Sequence, residues 1–168
     1  MDKDWHLSPH FSYYELTVTA NKELQDVNRR EGLSFIHPLV ELANLLEGIR
    51  EALKRPISIH SGFRCPQLNG ATPGSSYKSQ HMKGEAADFT AAGGNVDIGE
   101  TFSRTLEYLA GSGRSFRQLI KESADRDYGT AHWIHVSLGL PRRPQAHCGE
   151  VMTAHNGVFE LLQRVGAG

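Results

Sequence analysis

His81 and Asp88 stand seven positions apart in the stretch Ser79-Gln80-His81-Met82-Lys83-Gly84-Glu85-Ala86-Ala87-Asp88-Phe89. Imidazole and carboxylate are both ligands that Zn²⁺ accepts. Gly84 lets the backbone turn sharply between them. Ala86 to Phe89 then reads as a short strand entering a core. A third ligand is offered by Trp133-Ile134-His135-Val136-Ser137, an apolar, β-rich segment that would hold His135 on a rigid strand. Three protein ligands leave one tetrahedral position open for water, the mark of a catalytic rather than a structural zinc. A chain built this way must bring two separate strands together at one point.

The rest of the chain supplies the elements. Ser12-Tyr13-Tyr14-Glu15 fits a capping box, with Ser12 as N-cap. Leu24 to Arg30 is polar and reads as a helical turn. Pro38 to Leu53 is the clearest helix, with Pro38 at its first position and Leu39, Leu42, Ala43, Leu46, Ile49 and Leu53 on one face. Ile57 to Ser61 alternates like a half-buried strand. Gly62 to Tyr77 reads as a long loop bordering the cleft. Gly93-Gly94-Asn95 is a turn, Val96 to Ala110 a helix ended by Gly111-Ser112-Gly113, and Phe116 to Lys121 a strand. Ser123 to Ala131 reads as a polar turn region. His132 to Leu138 is the last strong strand, antiparallel to the one before. Pro141 to Pro144 is a loop, Glu150 to Thr153 an edge strand and Val158 to Val165 a terminal helix. The fold class is α+β, a small antiparallel sheet with helices packed on one side.

The motif S-x-H-x-x-G-x-A-x-D followed by a W-x-H strand resembles the signature of the M15 zinc peptidases. The wording S-Q-H-M-K-G-E-A-A-D-F is most similar to the short, phage-associated branch. The resemblance also covers His10-Phe11-Ser12 with Glu15-Leu16, Ser61 to Pro66 with Asn69, and Phe116 to Glu122, so it spans roughly residues 10 to 140. It implies a Hedgehog/DD-peptidase-like fold in a single domain over 1–168, with a C-terminal extension from 141. It also implies one Zn²⁺ and hydrolysis of peptidoglycan stem peptides. The enzyme would be a D-Ala-D-Ala carboxypeptidase or an endolysin-type endopeptidase such as an L-alanyl-D-glutamate endopeptidase, phage or prophage encoded. The metal ligands it implies are His81, Asp88 and His135. Arg64 and Ser79 are its substrate-binding candidates, Arg64 because the family's S-G-Y-R motif carries such an arginine. A guanidinium can grip a carbonyl or carboxylate with two prongs.

The proton shuttle is the open position. Relatives place a carboxylate three residues before the third ligand, and here that residue is His132. A histidine titrates near neutrality and can serve as a base. Three is an odd separation, however. On a regular strand His132 and His135 face opposite sides, and His132 reaches the metal only through a bend. Glu122 is the other candidate, at the end of the paired strand and with a counterpart in the family.

Composition narrows the class. The chain has 168 residues, 39% hydrophobic and 22% charged, which suits a globular domain with a core. A net charge of −1 offers no basic field for nucleic acid, and no apolar run is long enough to span a bilayer. Met1 to His6 lacks the character of a signal peptide, so a wall-directed protein would be made in the cytoplasm and delivered by lysis, a holin or a tail. The partner expected is a peptidoglycan peptide, and the protein is expected to be a monomer. Cys65 and Cys148 suit free thiols better than a disulfide. The competing reading is a non-catalytic wall-binding phage structural module of the same fold, supported by the missing carboxylate before His135.

Overall fold

The computed structural model describes residues 5–93, 96–139 and 149–166. By packing the chain forms two units, Met1–Glu47 with Ile59–Ala87, and Gly48–Ser58 with Asp88–Gly168. No helix among the described residues is long and apolar enough to cross a membrane.

The first unit opens with the expected capping box. Ser12 N donates to Glu15 Oε2 at 2.9 Å and Glu15 N donates to Ser12 Oγ at 3.2 Å, launching the 3-10 turn Glu15–Thr17. Tyr13 packs beneath this arm, its hydroxyl donating to Arg29 O. Burial pushes its phenol pKa up to about 12, against a smaller lowering by Arg29, so Tyr13 stays a donor. The helical turn expected at Leu24–Arg30 is a full helix, α1, Gln25–Gly32. A 3-10 turn, Leu33–Phe35, leads into α2, Ile36–Leu53. α2 begins two residues before Pro38, because first-turn N–H groups have no intrahelical partner and a proline there removes no bond. Its expected apolar face is buried throughout, each side chain at most 3% exposed. Each buried leucine or isoleucine there contributes ~1.5–3 kcal/mol before entropy is counted. Strand β1, Ile57–Ser61, matches its expected bounds.

The loop expected over Gly62–Tyr77 contains a short helix, α3, Pro66–Ala71. Pro66 takes the first position and Cys65, a buried free thiol, caps it by accepting from Leu68 N at 3.5 Å. Proline reads as a loop former in isolation, but at a helix start its fixed φ is favourable. Cys148 lies outside the described residues, as do Gly94, Asn95 and the expected loop Pro141–Pro144.

The sheet has six strands in the order β1-β2-β4-β3-β5-β6. Strand β2 is Ala86–Ala91, β3 Phe116–Arg126, β4 Gly129–Leu138, β5 Gly149–His155 and β6 Val158–Val165. Helix α4, Ile98–Gly111, lies between β2 and β3 in sequence, with Asp97 as N-cap. In the second unit Leu109, Leu119, Ile134, Val136 and Val151 are among the fully buried residues.

Three expectations change here. The polar turn expected over Ser123–Ala131 shrinks to Asp127-Tyr128, because β3 and β4 pair all the way from Phe116↔Leu138 to Arg126↔Gly129. β5 is an inner strand, parallel to β3 and antiparallel to β6, rather than an edge strand, so the sheet is mostly rather than wholly antiparallel. The terminal helix expected over Val158–Val165 is the edge strand β6. Asn156 and Gly157 both have positive φ, +50° and +79°, as the two-residue hairpin turn favoured by Asn-Gly requires.

Candidate metal centre

His81 sits in a 3-10 turn, Gln80–Lys83. Gly84 ends the turn at φ +68°, where a Cβ would also press on Leu39 and Phe35 at 3.2–3.3 Å. That reversal sends the chain directly into β2 and Asp88. His81 is 2% exposed, and its Nδ1–H donates to Gly62 O at 2.7 Å. A carbonyl can only accept, so the proton is fixed on Nδ1 and the Nε2 lone pair is left for a metal, a common arrangement of metal-binding imidazoles. Gly62 has its own constraint, since a Cβ there would lie 2.3 Å from Leu16 O.

Asp88 on β2 and His135 on β4 belong to neighbouring strands, and His135 Nδ1 donates to Asp88 Oδ1 at 2.8 Å. His135 is 8% exposed and Asp88 is half-buried. His81, Asp88 and His135 each offer a ligand atom, and these atoms lie within 4.8 Å of one another. Two imidazoles and a carboxylate at that separation form a donor set that could bind a metal and that suits zinc.

Strand pairing separates the two candidate bases. Ile120 pairs with His135, Glu122 with Trp133, and Ser123 with His132, with no register shift between them. Directly paired residues share a face and alternate residues keep it. Glu122 therefore shares a face with His135. His132 does not, because the bend that would have turned it is missing. His132 is exposed on the other face and lines an open groove with Thr90, Ala91, Val96, Asp97, Ile98 and Thr101. Lys121 lies on that second face too, its ammonium 5.9 Å from the Phe102 ring centre of α4.

The two substrate candidates lie together. Arg64 Nη2 is 3.5 Å from Ser79 Oγ, and Arg64 N donates to His81 O at 3.1 Å. Ser79 thereby sits at the start of the turn that carries His81. Sequence reasoning missed the residue that holds this region in place. Asn28 of α1 is fully buried. Its amide donates to Thr17 O at 2.8 Å and Phe63 O at 3.0 Å, and its Oδ1 accepts from Cys65 N at 2.7 Å. One side chain thus ties the Ser61–Pro66 segment to α1. A lone asparagine in a polar helix gives no periodic signal of such a role.

A protein-family profile described as Peptidase M15 matches residues 9–137. The chain belongs to the peptidase M15 family. Peptidases of this family are metal-dependent and act on peptide bonds, and the matched segment contains all three donors, Glu122, Arg64 and Ser79. No curated protein matches the chain. Strands β5 and β6 lie after the matched segment.

Proposed function

We propose that this M15 peptidase is a zinc enzyme that hydrolyses peptide bonds in bacterial peptidoglycan stem peptides, as a carboxypeptidase or an endolysin-type endopeptidase of phage or prophage origin. The observation that carries the reading is the gathering of His81, Asp88 and His135 donor atoms within 4.8 Å in a chain of a metallopeptidase family. The wording around His81 supports the wall-directed, phage-type specificity.

In this reading His81, Asp88 and His135 hold one zinc. The ion would supply a Lewis acid for the scissile carbonyl and a water made acidic enough to react at neutral pH. Glu122 takes the proton of the attacking water and returns it to the leaving amine. Its support is the shared face with His135, which His132 lacks. Arg64 grips a carbonyl or carboxylate of the peptide, and Ser79 orients it from the adjoining turn. The hydrogen bond from His81 to Gly62 O keeps that imidazole in its metal-binding tautomer.

Digestion of purified peptidoglycan followed by mass spectrometry of the muropeptides tests the reading and names the bond. The expected product set shows one peptide bond cut, lost with chelator and restored by zinc. A zinc-loaded protein that leaves every muropeptide intact would overturn the proposal.

A further inference from the structure

Glu122 lies four residues from the end of β3, and from Asp125 onward the hairpin tip is exposed. A strand end of this kind frays unless something holds it. On its β4 side Glu122 pairs with Trp133, and on its other side with Ala154 of β5. Just beyond Ala154 the β5–β6 turn closes a hydrogen-bonded circuit on β3. Asn156 N donates to Ser123 O at 2.9 Å. Asp125 N donates to Asn156 Oδ1 at 2.9 Å, and Asn156 Nδ2 donates to Asp125 Oδ2 at 3.0 Å. Ser123 Oγ lies 3.0 Å from His155 Nδ1 and donates to Ala154 O at 3.3 Å. Asn156 Nδ2 lies 3.1 Å from His155 Nε2. Thr130 Oγ1 donates to Asp125 Oδ1 at 2.9 Å, tying in β4.

One tautomer satisfies the shorter contacts of this circuit, with His155 Nε2 also 3.4 Å from Asp125 Oδ2. His155 Nδ1–H donates to Ser123, Ser123 donates onward to Ala154 O, and His155 Nε2 accepts from Asn156. By strand alternation Ser123 and Asp125 project on the face opposite Glu122. The circuit therefore grips the β3 backbone from its β5 side, through side chains that alternate to the face opposite Glu122. His155 and Asn156 come from beyond the segment matched to the family.

We propose that the His155–Asn156 turn, clasped to Ser123 and Asp125, is a positioning clamp for Glu122. This rests on the reading of Glu122 as the proton shuttle. A base must be held to about 0.5 Å of its productive position, and a misplacement of about 1 Å can cost on the order of 100-fold in rate. A clamp on an otherwise exposed strand end supplies that hold.

Asn156→Gly keeps the positive φ and removes the side-chain bonds. In the full-length, zinc-loaded protein it is expected to lower kcat on purified peptidoglycan about tenfold, with KM, zinc content and melting temperature near those of the unaltered protein. The exchange Asp125→Asn with Asn156→Asp reverses donor and acceptor across the same contact and is expected to restore most of kcat. Unchanged kcat in Asn156→Gly, or a fall in kcat matched by a fall in stability with no recovery in the exchange, overturns the clamp. Glu122→Gln is measured alongside. If it retains the full rate, the assignment of Glu122 itself fails and the clamp fails with it. If it is inactive while Asn156→Gly is fully active, only the clamp fails.

Discussion

Asp88 Oδ1 and His135 Nδ1 face each other at 2.8 Å across neighbouring strands. His81 is held by a backbone carbonyl, Gly62 O.

Zinc content should be near one ion per chain, with nitrogen or oxygen distances of ~2.0–2.2 Å by X-ray absorption. His81→Ala and Asp88→Ala should each lose the ion and the activity together. Either variant retaining full zinc would remove that residue from the ligand set.

Glu122→Gln should keep zinc and lower kcat by ~10²–10⁴-fold, while His132→Ala should change it less than about threefold. Metal analysis beside steady-state kinetics checks both. The reverse pattern would require β4 to bend on substrate binding.

Arg64→Ala should keep zinc and lower kcat/KM, and Arg64→Lys should recover only part of it, since an ammonium cannot make a two-pronged contact. Equal kcat/KM for Arg64→Ala and the unaltered protein would remove Arg64 from substrate binding.

Asn28→Asp should lower stability by ~2–4 kcal/mol, because a carboxylate cannot donate to Thr17 O and Phe63 O and is fully buried. Urea unfolding measures this. A change below about 0.5 kcal/mol would show that this amide is dispensable.

Acid should loosen the N-terminal arm. Burial raises the Glu47 carboxyl pKa, but hydrogen bonds from Ser8 and His10 outweigh it and leave the pKa below its ordinary value of 4.5. A depressed folded pKa gives stability that is present above the unfolded value and lost as pH falls through the folded one. Glu47→Gln should therefore be less stable than the unaltered protein at neutral pH, with the difference shrinking below pH 4.5. Melting curves across that range would contradict this if the difference stayed constant.

Much of this architecture could be read from the chain because local signals and tertiary packing agree. The Ser12–Glu15 box forms its reciprocal bonds, the α2 apolar face is buried, and β1 has its expected bounds. Donor atoms of His81, Asp88 and His135 lie within 4.8 Å of one another. Other features were hidden for physical reasons. Val158 to Val165 spaces its apolar residues as a helix might, and the Asn156-Gly157 turn that decides for a strand lies just outside that window. Asn28 and the Gly62 carbonyl act through backbone groups of distant segments, which no spacing rule reports. The choice between Glu122 and His132 depended on whether β4 bends, a property of pairing rather than of composition.

The β3–β4 ladder works as a ruler with two-residue graduations. Inserting one residue into β3 just before Glu122 would leave charge, hydropathy and all three metal donors intact. It would nonetheless rotate the carboxylate to the side that Lys121 shares with Phe102. For this protein, single-residue insertions and deletions near the strand are thus a distinct hazard. They can leave a folded molecule with its three metal donors intact and its carboxylate on the wrong face of the sheet.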